Sequence, residues 1–181
     1  GVRLVGSEMC IRDRQKPVYS DRVVTSLAWK MNGQVNYVLE GNINYTGAVI
    51  TWLKDELKLI SSPSETEILA NKANPGDRSY LVPAFSGLGA PYWDSEASGI
   101  LTGITRTTGR AEIVRAGLES IAYQITDVVN AMSEESGIKI QELRVDGGPT
   151  RNKYLMQFQS DIADVTVQVP SAEELSGIGA A

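Results

Sequence analysis

Apolar and polar positions along this chain change period several times, and each change marks an element. From Arg22 onward the pattern is regular. Val23 to Trp29 and Gln34 to Leu39 read as two strands. Asn32-Gly33 between them predicts a tight hairpin, because both residues tolerate positive φ. Apolar residues then recur at helical spacing at Val49, Ile50, Leu53, Leu57 and Ile60, with Lys54, Asp55 and Lys58 turned away. Residues 61–79 are rich in Ser, Pro, Asn, Gly and charge, which predicts a surface connection holding a short helix around 65–73. Tyr80 to Phe85 and Gly99 to Ile104 read as further short strands. The longest helix is predicted from Ala111 to Met132. Val114, Leu118, Ile121, Ile125, Val128 and Met132 line its core face, and Glu112, Arg115, Glu119 and Asp127 fall on its polar side. Gly117 marks a close helix crossing, and Gly137 a left-handed cap.

Between the first strand pair and the long helix, two stretches carry small residues without an obvious core role. Gly47 and Thr51 stand four apart, on one side of the first helix, where they suit close packing or a ligand equally. The loop from Ser86 to Asp94 is dense in glycine and carries Tyr92-Trp93. Those aromatics fit a pocket wall or domain contact, or a pin holding the loop to the core.

The segment from Leu143 to Ala163 is the centre of the pattern. An apolar run at Leu143 and Val145 predicts a buried strand, Gly147-Gly148-Pro149 a turn, and Tyr154, Leu155, Phe158 and Ile162 a helix with Thr150 as N-cap. Two glycines here remove side-chain bulk where a backbone meets a ligand, and the helix start offers amides to a polar or anionic group. A tight turn alone would ask for the same residues, and neither a P-loop nor a Gly-x-Gly-x-x-Gly pattern is present. A strand at Val165–Val169 follows, then a helix from Glu173 that runs to the last residue without a cap and reads as truncated. Residues 1–17 show no period. They read as a non-native or disordered arm outside a domain at 18–181. A hairpin followed by alternating helices and strands predicts an α/β domain, a mixed sheet with helices on both faces.

Composition narrows the chemistry. The chain of 181 residues contains no histidine, which excludes Ser-His-Asp and Cys-His catalysis and leaves acid–base work to carboxylates, lysine, tyrosine or water. A net charge of −5 argues against a nucleic-acid or anionic-membrane partner. No apolar run approaches the ~20 residues of a membrane helix. The single cysteine, Cys10, predicts a reducing compartment, the cytoplasm.

From about Val23 to its end the sequence resembles the C-terminal domain of the FGGY carbohydrate kinases. The resemblance rests on Asn36-Tyr37-Val38-Leu39-Glu40-Gly41, Gly47-Ala48 with Trp52-Leu53, and Val82 to Asp94. It continues through Leu118 to Gln124, Arg144-Val145-Asp146-Gly147-Gly148 and Leu155 to Asp161. Gly99 to Glu119 matches the family's second signature except at Gly117, where that signature prefers a larger or hydroxylated residue.

Membership implies an actin/Hsp70-like ATPase (ribonuclease H-like) architecture, with two domains closing over ATP and a polyol, and Mg²⁺ accompanying the nucleotide. The implied nucleotide-binding positions are Gly47, Thr51, Gly148 and Asn152. Thr51 replaces the glutamine of well-known members with a shorter hydroxyl, and Asn152 offers both a donor and an acceptor to a base or ribose. The implied acceptor is glycerol or a related polyol, bound with the N-terminal domain, which also carries the aspartate that takes the alcohol proton. No catalytic or metal-ligating residue is therefore expected in this chain, and Asp146 is expected to brace the Gly-Gly turn. A non-catalytic nucleotide-binding ATPase of the same fold is the alternative, and a homo-oligomer is left open.

Overall fold

The computed structural model describes the backbone of residues 2–5, 8–14 and 16–170, with side chains from residue 16 to 170. Its strands are β1 (Val2–Val5), β2 (Glu8–Arg14), β3 (Val24–Met31), β4 (Gln34–Asn42), β5 (Tyr80–Val82), β6 (Ile100–Thr102), β7 (Glu142–Asp146) and β8 (Thr166–Gln168). Its helices are α1 (Gly47–Thr51), α2 (Glu65–Lys72), α3 (Arg110–Ser136) and α4 (Lys153–Ala163). The helix predicted from Glu173 lies outside the described residues.

Six strands form one mixed sheet in the order β3-β4-β2-β1-β7-β8. Pairing is antiparallel from β3 to β1 and parallel from β1 through β7 to β8. Two sequence expectations are corrected here. β1 and β2 lie inside residues 1–17, so the boundary drawn at 17/18 cuts through the sheet. Strands of four and seven residues with mixed polarity are too short for their period to be legible, and their pairing is wholly non-local. The second correction concerns β5 and β6, which leave the main sheet and pair only with each other.

The β3–β4 hairpin turns on Asn32 and Gly33, both left-handed at φ 51° and 77°, as a two-residue turn between twisted strands demands. α1 continues directly into a π-helical turn over Trp52–Glu56 and stops at Leu57. Val49, Leu53 and Ile60 are buried as predicted, but Ile60 belongs to the following loop and Leu57 is exposed.

α3 is the axis of the core. Val114, Leu118, Ile121, Ile125, Val128 and Met132 are all buried along it. Two glycines let other elements close on it. A Cβ at Gly41 would stand 2.2 Å from Val128 Cγ1, and one at Gly117 would stand 2.9 Å from Leu53 Cδ1, so β4 and α1 both approach the helix at backbone distance. Gly137 caps α3 at φ 66°. The predicted polar side is only partly solvated: Glu112, Arg115 and Glu119 are buried, because they are spent on backbone and side-chain groups of neighbouring elements.

The glycine-rich loop is held by its aromatic tips. Tyr92 Oη donates to Asp127 Oδ2 at 3.0 Å and Trp93 Nε1 to the Arg22 carbonyl at 3.0 Å, while both rings stay about half exposed. Burial raises the Asp127 carboxyl above its ordinary range, against the opposing pull of the Tyr92 hydrogen bond.

Candidate functional site

The site is built where β7 ends. Asp146 Oδ1 accepts the Gly147 N–H at 2.8 Å, the bracing expected of it. Gly147 sits at φ 97°, ψ 176°, a region only glycine occupies without strain. Gly148–Arg151 then form a 3₁₀ turn, in which Thr150 donates to the Gly147 carbonyl through both its N–H (3.1 Å) and its Oγ1 (2.7 Å). That turn removes Thr150 from the helix start. The N-cap of α4 is Asn152, whose Oδ1 accepts the Leu155 N–H at 2.9 Å. Asparagine is as good a cap as threonine, and its place three residues before Leu155 was the available signal.

α1, the start of α2 and the 148–152 turn enclose a cavity of about 570 Å³, floored by Leu118 and Ile121 of α3 and by Leu155. Gly47, Thr51, Gly148 and Asn152 all line it. The topology thus brings together four residues that lie on two segments about a hundred positions apart in the chain. A Cβ at Gly47 or Gly148 would meet nothing within 4 Å, and neither residue has positive φ. Their bare backbone therefore faces open space, and the need for a strained turn falls on Gly147 alone. An apolar floor with a few polar groups at its walls is the usual make-up of a small-molecule site.

Two expectations need correcting at this site. Asn152 does not hold its side chain wholly for a ligand: besides capping α4, its Nδ2 donates to Thr66 Oγ1 at 3.0 Å, tying α4 to α2. The opening amides of α4 are likewise partly committed, since the Lys153 N–H donates to Glu67 Oε2 at 3.0 Å and the Leu155 N–H to Asn152. Thr66, Glu67 and Arg151 also line the cavity. Sequence reasoning missed them, because the 61–79 segment carries no motif and its place beside α4 is decided by packing.

No group of three or more Cys, Asp or Glu comes together as a metal set among the described residues, and no helix among them is long and apolar enough to cross a membrane.

Comparison with known proteins decides the lineage. The model of the FGGY family of carbohydrate kinases, C-terminal domain, matches residues 6–181. The chain belongs to the FGGY family of carbohydrate kinases. Among curated relatives of this FGGY domain, the glycerol kinase of Petrotoga mobilis is 50% identical over 177 residues, 97% of this chain and 36% of that protein. The glycerol kinase of Thermococcus kodakarensis is 51% identical over 176 residues, 97% of this chain and 35% of that protein. Among solved structures, a Plasmodium falciparum glycerol kinase crystallised with ADP superposes with a TM-score of 0.89 at 38% identity, covering 99% of this chain and 36% of that one. The FGGY chain described here therefore spans little more than a third of the length of the relatives it matches.

Proposed function

We propose that this domain is the nucleotide side of an ATP-dependent polyol kinase acting on glycerol, which transfers the γ-phosphoryl group of ATP to a substrate hydroxyl to give ADP and glycerol 3-phosphate. The convergence of Gly47, Thr51, Gly148 and Asn152 on one cavity carries this reading. The apolar floor of Leu118, Ile121 and Leu155 suits a purine face, and the bare backbone of Gly47 and Gly148 lets a nucleoside approach without side-chain obstruction. Asn152, already committed to Thr66 and Leu155, acts first by holding α4 against the cavity, and its second amide hydrogen remains for a ribose or base. Identity of about half to named glycerol kinases, and a structural neighbour crystallised with ADP, support the assignment.

The finer architecture follows the same reading. The antiparallel run β3-β4-β2-β1 followed by parallel β7 and β8 supports an actin/Hsp70-like ATPase domain of ribonuclease H-like type, with helices on both sheet faces. Residues present at the cavity do not make a Mg²⁺ cage, so the ion is assigned to the nucleotide phosphates rather than to this chain's side chains. The polyol and the base that takes its proton belong to the partner domain of the cleft, and the cytoplasm is the compartment proposed for the whole enzyme.

Calorimetric titration of the chain with ADP and ATP tests the assignment. Saturable binding without ATP-dependent phosphorylation of glycerol by this chain alone is the expected outcome, since positioning and charge neutralisation across a complete cleft drive phosphoryl transfer. Absence of nucleotide binding by the folded chain, or robust turnover from it, would overturn the reading.

A further inference from the structure

The charged strip that the pattern of α3 assigns to solvent is buried, and it grips both walls of the cavity. Glu112, Arg115 and Glu119 are 9%, 8% and 9% exposed. At one end of the strip, Arg115 Nη1 and Nη2 donate to the carbonyls of Asn74 (2.8 Å) and Asp77 (2.9 Å), and Glu112 Oε1 accepts the Asn74 N–H at 2.9 Å. These bonds fasten the chain as it leaves α2. At the other end, Glu119 Oε1 accepts from the Tyr154 hydroxyl at 2.6 Å and lies 3.7 Å from Arg115 Nε, a buried N–H with no hydrogen-bond partner of its own. Tyr154 is the second residue of α4 and stands two places after Asn152.

α2 supplies Thr66 and Glu67 to the cavity, and the α4 side supplies Asn152 and Leu155, with α3 beneath both. The two bonds that close this side, Asn152 to Thr66 and Lys153 to Glu67, are made by residues within two positions of Tyr154. Their geometry therefore depends on where the first turn of α4 is anchored. We propose that Glu119 and Tyr154 are positioning residues, which fix the spacing of α4 from α2 across the cavity and through it the affinity for nucleotide. The nucleotide part of this inference rests on the reading of the cavity given above. Burial first, and then the hydrogen bond to Glu119, hold the Tyr154 phenol well above the ordinary tyrosine range, so it stays a donor throughout the working pH range.

The test compares the full chain with its Tyr154→Phe and Ser160→Ala variants. Ser160, near the other end of α4, bonds the Val165 carbonyl and does not line the cavity. Amide hydrogen exchange at Lys153 and Leu155 is one readout, and calorimetric affinity for ADP is the other. Loss of a hydrogen bond to a charged acceptor in Tyr154→Phe is expected to speed both amides about tenfold and to weaken ADP binding about three- to tenfold. Ser160→Ala is expected to lower Tm with neither change. A Tyr154→Phe chain that loses Tm but keeps wild-type exchange and ADP affinity would reduce the contact to ordinary packing and overturn the proposal. Faster exchange in Tyr154→Phe, alongside a wild-type chain that does not bind ADP, would leave the positioning role standing and sink the nucleotide reading instead.

Discussion

Gly147 holds φ at 97° with ψ at 176°, while its neighbour Gly148 has an ordinary φ and open space where a Cβ would go. Substitution should therefore separate the two. Gly147→Ala is expected to cost roughly 1–3 kcal/mol of stability, the price of forcing a side chain into that region, and to appear as a lowered Tm. Gly148→Val should melt with the wild type and instead weaken ADP binding by about 5- to 150-fold, the equivalent of ~1–3 kcal/mol of overpacking in a ligand's space. A well-folded Gly148→Val chain with wild-type affinity would remove Gly148 from the site. Single carboxylates also set the acid limit of the fold. The Ser79 hydroxyl, then Thr108 and the Ser79 N–H, hold the Asp77 carboxyl below its usual value, and the Asn74 N–H foremost does the same for Glu112. A depressed folded pKa means that the unfolded chain binds more protons, so this stabilisation is present near neutrality and is lost as pH falls below about 4. Asp127, shifted upward, contributes with the opposite sign. Melting between pH 6 and 3 should show a falling Tm for the wild type and a shallower fall for Asp77→Asn; parallel slopes would contradict the assignment.

Elements meet at α3 with different tolerances. At Gly41 the obstructing atom would be a γ-methyl of Val128, which is β-branched and stiff at χ1, only 2.2 Å away. At Gly117 it would be the terminal methyl of Leu53 at 2.9 Å, on a side chain with another torsion to turn. Gly41→Ala is therefore expected to cost ~1–3 kcal/mol as β4 is pushed off the helix. Gly117→Ala should cost less, because alanine regains about 1 kcal/mol of helix propensity. Denaturant midpoints rank the two, and a reversed order would mean that α1, not β4, is the less yielding partner. Departure from the family signature at Gly117 thus has a local reason in the closeness of α1 to α3.

At the scale of the molecule, β1 joins the antiparallel half of the sheet to the parallel half, pairing β2 on one side and β7 on the other. Deleting residues 2–14 would leave β4 and β7 with an unpaired edge each and split the ladder that carries the 147–152 turn. The expected result is a large drop in Tm together with loss of ADP binding, read by calorimetry and by circular dichroism. A deletion chain that melts with the wild type would show these strands to be dispensable, restoring the boundary at residue 17.

The sequence by itself determined what depends on neighbours along the chain. The Asn32-Gly33 hairpin, the long amphipathic α3, its Gly137 cap and the strand–glycine–helix unit all follow from local periodicity and turn chemistry. The family resemblance supplied Gly47, Thr51, Gly148 and Asn152, which the fold then gathered around one cavity. Tertiary structure alone decided the rest. The placing of β1 and β2 inside the sheet, the separation of β5 and β6, and the arrival of Thr66 and Glu67 beside α4 are non-local pairings that no window of sequence encodes. The burial of Glu112, Arg115 and Glu119 belongs with them. A helical pattern shows which residues are charged, but whether water or a neighbouring backbone satisfies that charge is settled only when the elements meet.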